Sequence, residues 1–179
     1  LRSSRLVSHT LDTPEVNAFA APGGFILITR GLYELLATDS ELAAALAHEI
    51  SHCVQRDHYT VIHKQELATV GKDQAVQNVT VGNDSVAGNY ARRYAEKNGA
   101  VIMLTSLDRE AEYRSDQAAE FYLARAGMNP LTLYAVLQKL TALGSESASL
   151  AQLYKTHPPL DARLDRIDQR GYGALEAFT

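Results

Sequence analysis

A single cysteine, Cys53, stands in the whole chain, so no disulfide can form within it and no pair of cysteines can hold a metal or carry out thiol exchange. A reducing cytosol and a disulfide-free periplasmic protein fit that count equally. Basic residues are in deficit: 17 Lys and Arg against 21 Asp and Glu give a net charge of -4 and a pI near 5.9. Phosphate backbones are bound by basic surfaces, so nucleic acid is excluded as an expected partner. No apolar run approaches the roughly 18 residues a membrane helix needs, the longest being interrupted between Asn17 and Thr29, so no transmembrane segment is expected. Internal repeats, low-complexity tracts and proline-rich linkers are lacking too. What is present, 46% hydrophobic and 21% charged residues in 179, is the composition of a folded domain of ordinary size, and residues 1–179 are expected to form one. The chain starts at Leu1 rather than Met, as a processed fragment would.

The pattern along the chain predicts an α+β fold, mostly helical. The first thirty residues read as extended: a short strand at Leu6 and Val7, a turn at Asp12, Thr13 and Pro14, then Val16, Ala18 and Ala20 alternating with Asn17 and Phe19. Pro22, Gly23 and Gly24 make a turn before the β-rich run Phe25–Thr29, and a small N-terminal antiparallel sheet is expected. Thr38 with Glu41 is a capping box, and Leu42, Leu46, Ile50 and Val54 recur at the spacing of a buried stripe, which predicts a helix from about Ser40 to Asp57. Between Thr60 and Thr105, Gly71, Gly82, Gly88 and Gly99 interrupt polar helical pieces. Ser106 to Ala126 reads as a helix ending at Gly127, Leu131 to Leu143 as another stopped by Gly144, and Leu160 to Gln169 as a short amphipathic one.

His48, Glu49, Ile50, Ser51 and His52 form HExxH within the helix predicted over Ser40 to Asp57. Histidines four apart lie about 40° apart around a helix axis, so both imidazoles leave one face and can grip one ion. Glu49 sits about 100° from His48 and about 60° from His52, beside such an ion rather than on it, which is the place of a general base. A solvated pair on an exposed face is the competing explanation. The Ala- and Leu-rich segment Ala43–Ala47 reads as buried, however, and unpaired polar groups there cost roughly 1–3 kcal/mol each unless a metal satisfies them.

Catalytic zinc takes three protein ligands and a water, so a third ligand must come from elsewhere. His58, His63 and the acidic residues Asp108, Glu110, Glu112 and Asp116 are the candidates. An unbroken helix would point His58 about 120° away, and no glycine lies between His52 and His58 to turn the chain. Glu112 and Asp116 share a helix face with Ala119 and Leu123, where their carboxylates would be stranded without partners. Glu112 is therefore the expected third ligand, and Asp116, one turn on, is placed to accept the free N–H of a ligating histidine. A surface charge pairing with Arg109 and Arg114 is the alternative for both.

Asn17-Ala18-Phe19-Ala20, Pro22-Gly23-Gly24, Thr29-Arg30-Gly31-Leu32, HEISH at 48–52, Glu112 with Asp116, and His157-Pro158-Pro159 with Arg163 together resemble the BepA, LoiP and HtpX group of HExxH zinc metallopeptidases, in order from about Leu6 to Ile167. The resemblance implies a zincin-like domain of gluzincin type with one zinc ion (Zn2+) per chain on His48, His52 and Glu112, Glu49 as catalytic base, and Asp116 behind a ligating histidine. It also brings His157 and Arg163 to the active site as catalytic residues, either one a candidate donor to the tetrahedral oxyanion; from the residues alone, Thr156–Pro159 is a turn and Arg163 a surface residue. Residues 60–105, which match the group poorly, are the expected lid or plug. Lacking transmembrane helices, the chain resembles the soluble branch, which implies a bacterial protein in the periplasm or membrane-associated on the extracytoplasmic side. The implied activity is endoproteolysis of unfolded or misassembled proteins, with the polypeptide adding as a strand to Phe25–Thr29 or to Asn17–Ala21. The rivals are a zinc-containing chaperone or binding module, a zinc hydrolase of non-peptide amides, and a latent peptidase with His157 on the metal.

Overall fold

The computed structural model describes residues 6–21, 24–61, 63, 107–157 and 160–175, with side chains to residue 170; the lid or plug expected over 60–105 lies almost wholly outside them. Three strands come first: β1 (Val7–Leu11), β2 (Ala18–Ala21) and β3 (Phe25–Thr29). Their spatial order is β1-β3-β2. β2 runs antiparallel to β3, with Ala18 opposite Ile28 and Ala20 opposite Ile26, whereas β1 runs parallel to it, with Val7 opposite Phe25. The sheet is thus mixed rather than wholly antiparallel. The connection between β1 and β2 crosses over instead of folding back as a hairpin, so β3 inserts between them. Phe25–Thr29 is paired on both sides and offers no edge to a substrate, while β2 does.

Thr29 ends β3 and caps helix α1 (Arg30–Leu35), its Oγ1 accepting from Leu32 N–H at 3.2 Å. Gly31 follows because the backbone of the β1–β2 loop lies against it: a Cβ there would collide with the carbonyl oxygens of Pro14 and Glu15. Helix α2 (Asp39–Gln55) starts as its capping box predicts, with Thr38 Oγ1 accepting from Glu41 N–H at 3.2 Å. Glu41 reaches back to Ala37 N–H and across to Lys139 Nζ, 2.7 Å away. The remaining elements are α3 (Arg109–Arg125), α4 (Thr132–Ala142), a 3₁₀ turn (Ala148–Leu150), α5 (Ala151–Thr156) and α6 (Leu160–Leu175).

The buried side of α2 is not the predicted Leu42, Leu46, Ile50 and Val54 stripe. Val54 is 61% exposed and the three others are half-buried. Ala44, Ala47, His48, Ser51 and His52 face inward instead, at the i, i+3, i+4, i+7 spacing of a single face. The partner face on α3 carries Ala111, Glu112, Ser115, Asp116 and Ala119, all buried. Alanine and serine on both surfaces let the two helices approach closely, so long polar side chains from each meet in one layer between them. Leu133, Val136, Leu137 and Leu140 of α4, with Leu123, Leu153 and Leu160, close the apolar core beside that layer.

Candidate metal centre and active site

His48 Nε2 and His52 Nε2 lie 3.0 Å apart, and the Glu112 carboxylate stands 3.4 Å from the first and 3.5 Å from the second. The tautomer of each ring follows from its other nitrogen. His48 Nδ1 is 2.9 Å from Asp116 Oδ1, and His52 Nδ1 is 2.9 Å from Asp57 Oδ2, so each Nδ1–H donates to a carboxylate. The two Nε2 atoms are then bare lone pairs facing each other and a carboxylate, which repel unless a cation lies among them. Donors about 2.0–2.1 Å from a tetrahedral zinc ion are about 3.3 Å apart, close to the spacings observed. Together with a His157 nitrogen, the donor atoms all lie within 4.8 Å of one another, and all four residues are buried. The donor set fits one zinc ion.

The surrounding charges point the same way. Among the described residues, Glu49, Glu112, Asp116 and Asp57 are buried, against one buried arginine, Arg163, and a half-exposed one, Arg114, whose Nη2 reaches Asp57 at 3.3 Å. Burial pushes Glu112 upward, but His157 and Arg163 overcome it and hold its carboxyl well below the usual range. Asp116 is likewise disfavoured by burial and brought down by Arg163 and His48. His48 loses basicity to burial and to Arg163, and regains more from Asp116 and Glu112.

Arg163, expected on the surface from its residue context and at the site from the resemblance, is 3% exposed. It donates from Nε to Asp116 Oδ2 at 2.8 Å, from Nη2 to Asp116 Oδ1 at 2.6 Å, and from Nη1 to Glu112 Oε2 at 3.0 Å. One guanidinium from α6 thereby fixes both α3 carboxylates. His157, at the end of α5, sets Nδ1 3.2 Å from Glu112 Oε1 and Nε2 3.2 Å from the carbonyl of Ala18, with Glu49 Oε1 at 3.7 Å. Asn17 Nδ2 donates to Thr156 Oγ1 at 3.4 Å, which ties the tail to the start of β2.

Of the other candidates, Asp108 is the N-cap of α3, accepting from Ala111 N–H at 2.7 Å, and Glu110 and His63 are exposed. The missing glycine after HExxH is replaced by Arg56, at φ 58°, which ends α2 in the left-handed conformation. The turn brings Asp57 to His52, and leaves His58 buried beside the centre, its ring 6.0 Å from that of His52, outside the metal-ligating group. Asp57 and Ser115, whose Oγ is 2.9 Å from His52 Nδ1, were not anticipated. Ser115 had a signal, lying three residues after Glu112 on the same face; Asp57 had none, because its approach depends on the Arg56 turn.

A helix carrying two histidines one turn apart, an intervening glutamate, and a carboxylate from a second helix define the class of HExxH metallohydrolases. The chain belongs to Peptidase family M48, the family model matching residues 5–171; its HExxH relatives are zinc metallopeptidases. It is 29% identical over 175 residues to the Beta-barrel assembly-enhancing protease of Escherichia coli (strain K12), covering 89% of this chain and 35% of that protein. It is 29% identical over 148 residues to the Mitochondrial metalloendopeptidase OMA1 of Arabidopsis thaliana, covering 83% of this chain and 28% of that protein. A Protease HtpX homolog from Desulfatibacillum aliphaticivorans is 30% identical over 186 residues, covering 84% of this chain and 58% of the relative. The chain spans about a third of the length of the beta-barrel assembly-enhancing proteases it matches.

Proposed function

We propose that this chain is the peptidase domain of a zinc metalloendopeptidase acting on polypeptides whose backbone is free to add as a strand, unfolded or misassembled proteins among them. The observation that carries the reading is the convergence of the His48 and His52 lone pairs and the Glu112 carboxylate, with the Glu49 carboxylate beside them. His48, His52 and Glu112 would hold the ion. Zinc bound there would supply a water of lowered pKa and polarise the scissile carbonyl. Glu49 takes the proton as the water oxygen attacks, and delivers it to the amine nitrogen as the C–N bond breaks. Asp116 keeps the proton on His48 Nδ1, and Arg163 keeps Asp116 and Glu112 ionised.

Strand addition is supported at β2. Asn17's carbonyl accepts from Thr29 N–H at 3.0 Å, so strand alternation turns the Ala18 carbonyl to the outer edge, where His157 meets it. A small apolar cavity lined by Leu133, Leu137 and Leu160 as well as by Glu49 and His157 suits an apolar substrate side chain. Among the described residues no helix is long and apolar enough to cross a membrane, and the resemblance to periplasmic peptidases supports an extracytoplasmic location.

Cleavage of reduced casein by the zinc-loaded protein, beside Glu49→Gln, tests the reading. Cutting by the wild type and loss of at least 10²-fold in the variant, with zinc retained, is the expected result. A second reading, a latent or non-catalytic zinc module, is favoured by one observation: His157 lies close enough to complete four protein ligands. If neither protein cuts while each holds one zinc, His157→Ala separates the two. Activity appearing in that variant identifies a latent enzyme, and failure of both proteins to cut or to bind a phosphinic peptide that mimics the tetrahedral intermediate rules out the peptidase.

A further inference from the structure

Nearly every polar side chain around the metal centre has a partner supplied by the chain. His48 has Asp116, His52 has Asp57 and Ser115, Glu112 has Arg163 and His157, and Asn17 has Thr156. Two groups stand apart. Glu49 Oε2 is buried without a hydrogen-bond partner among the described residues, and so are both nitrogens of His58, a side chain 6% exposed. His58 is brought there by the left-handed turn at Arg56, and its ring meets that of His52 at 67°. Burial lowers the basicity of His58, and the charge of Glu49 partly offsets it. A buried imidazole without a partner is disfavoured against phenylalanine or leucine, and among the described residues none partners His58, so the group it is kept for lies beyond them. Arg166 Nε on α6 shares this condition among the described residues, and at the metal centre so does Glu49 Oε2, an oxygen of the proposed base.

Resting on the peptidase reading above, we propose that His58 is a catalytic-site residue that hydrogen-bonds to the reacting peptide group beside Glu49, its N–H donating to the oxygen that becomes negative as water adds to the carbonyl carbon. No proton is transferred from His58. Glu49 takes the water proton and returns it to the leaving nitrogen, and the imidazole N–H stays bonded throughout, strengthening as charge grows on oxygen. His58 is therefore felt in the transition state far more than in the bound substrate.

The test uses the zinc-loaded full chain, with His58→Ala, His58→Phe and His58→Gln. Substrates are a peptide spanning the mapped casein cleavage site and its phosphinic analogue, which carries a tetrahedral phosphorus in place of the scissile carbonyl carbon. His58→Ala is expected to lower kcat about 10²-fold with KM within about threefold, and to weaken calorimetric binding of the phosphinic peptide at least tenfold. His58→Gln, which keeps an N–H donor, recovers part of both. Zinc affinity stays within about twofold, and the melting temperature of His58→Phe equals or exceeds that of the wild type. Unchanged kcat and phosphinic affinity in His58→Ala, in a wild type that cleaves, overturn the proposal alone. A fall in zinc affinity reassigns His58 to the metal, and a fall in melting temperature with a raised KM reassigns it to packing; both overturn it. If neither the wild type nor His157→Ala cleaves or binds the phosphinic peptide, the peptidase reading falls and this proposal with it.

Discussion

Replacing Asp116 by asparagine keeps the side-chain shape and removes one hydrogen-bond acceptor from a place that uses both. Asp116 Oδ1 accepts from His48 Nδ1 at 2.9 Å and from Arg163 Nη2 at 2.6 Å, while Oδ2 accepts from Arg163 Nε at 2.8 Å. An amide in either orientation points its NH2 group at a donor. If the NH2 faces Arg163, the guanidinium keeps a full charge partner only in Glu112, 3.0 Å away. If it faces His48, the ring loses the acceptor that holds its proton on Nδ1, and the lone pair needed at Nε2 is no longer guaranteed. Loss of such an orienting partner costs about 10–100-fold in metal affinity, equivalent to about 1.4–2.7 kcal/mol. Metal-free protein should also lose about 3 kcal/mol of stability, the lower end of the range for breaking a buried ion pair, because Glu112 remains. Competition with a chromophoric chelator at neutral pH measures the first quantity and thermal denaturation of metal-free protein the second. A zinc dissociation constant within twofold of wild type, with an unchanged melting temperature, would refute the account of how His48 is oriented.

Gly31→Ala is expected to cost about 1–3 kcal/mol, because the new Cβ meets the rigid backbone carbonyls of Pro14 and Glu15 rather than a movable side chain. Differential scanning calorimetry should then show a melting temperature lower by about 3–10 °C, and an undiminished value would mean the β1–β2 loop moves aside. Glu120 is pushed up to about 7 by burial and by the neighbouring Asp116. Its folded state therefore binds the proton more tightly than the unfolded chain, so the group costs nothing below its unfolded pKa and destabilises progressively as pH rises through about 7. Because the side chain is partly exposed, solvent screening leaves about 1 kcal/mol. Chemical denaturation should find Glu120→Gln more stable than wild type by that amount at pH 8 and equal to it at pH 4; an equal gain at both pH values would remove charge from the explanation.

The elements of this fold that are specified by near neighbours were legible before any coordinates. Thr38 and Glu41 mark the start of α2, Gly127 and Gly144 follow the ends of α3 and α4, and helical geometry alone sets His48 and His52 on one side of α2 with Glu49 next to them. Glu112 and Asp116 were reachable for the same reason, since two carboxylates on an otherwise apolar face need partners. Relations between distant segments were not. β1 pairs parallel to β3 because the chain crosses over between β1 and β2, and no local pattern encodes that path. The apolar stripe of α2 misled because burial there is set by the close approach of alanine and serine faces on α2 and α3. Arg163 looks like a solvated helical arginine until α6 packs against α3 and lays it across Asp116 and Glu112. His58 and Asp57 gain their positions from one left-handed residue, Arg56. Helical periodicity and capping act within a few residues and are written in order along the chain. The partners of a buried charge depend on which surfaces fold together, and those contacts join residues as far apart as His48 and Arg163, which only the packed molecule brings into range.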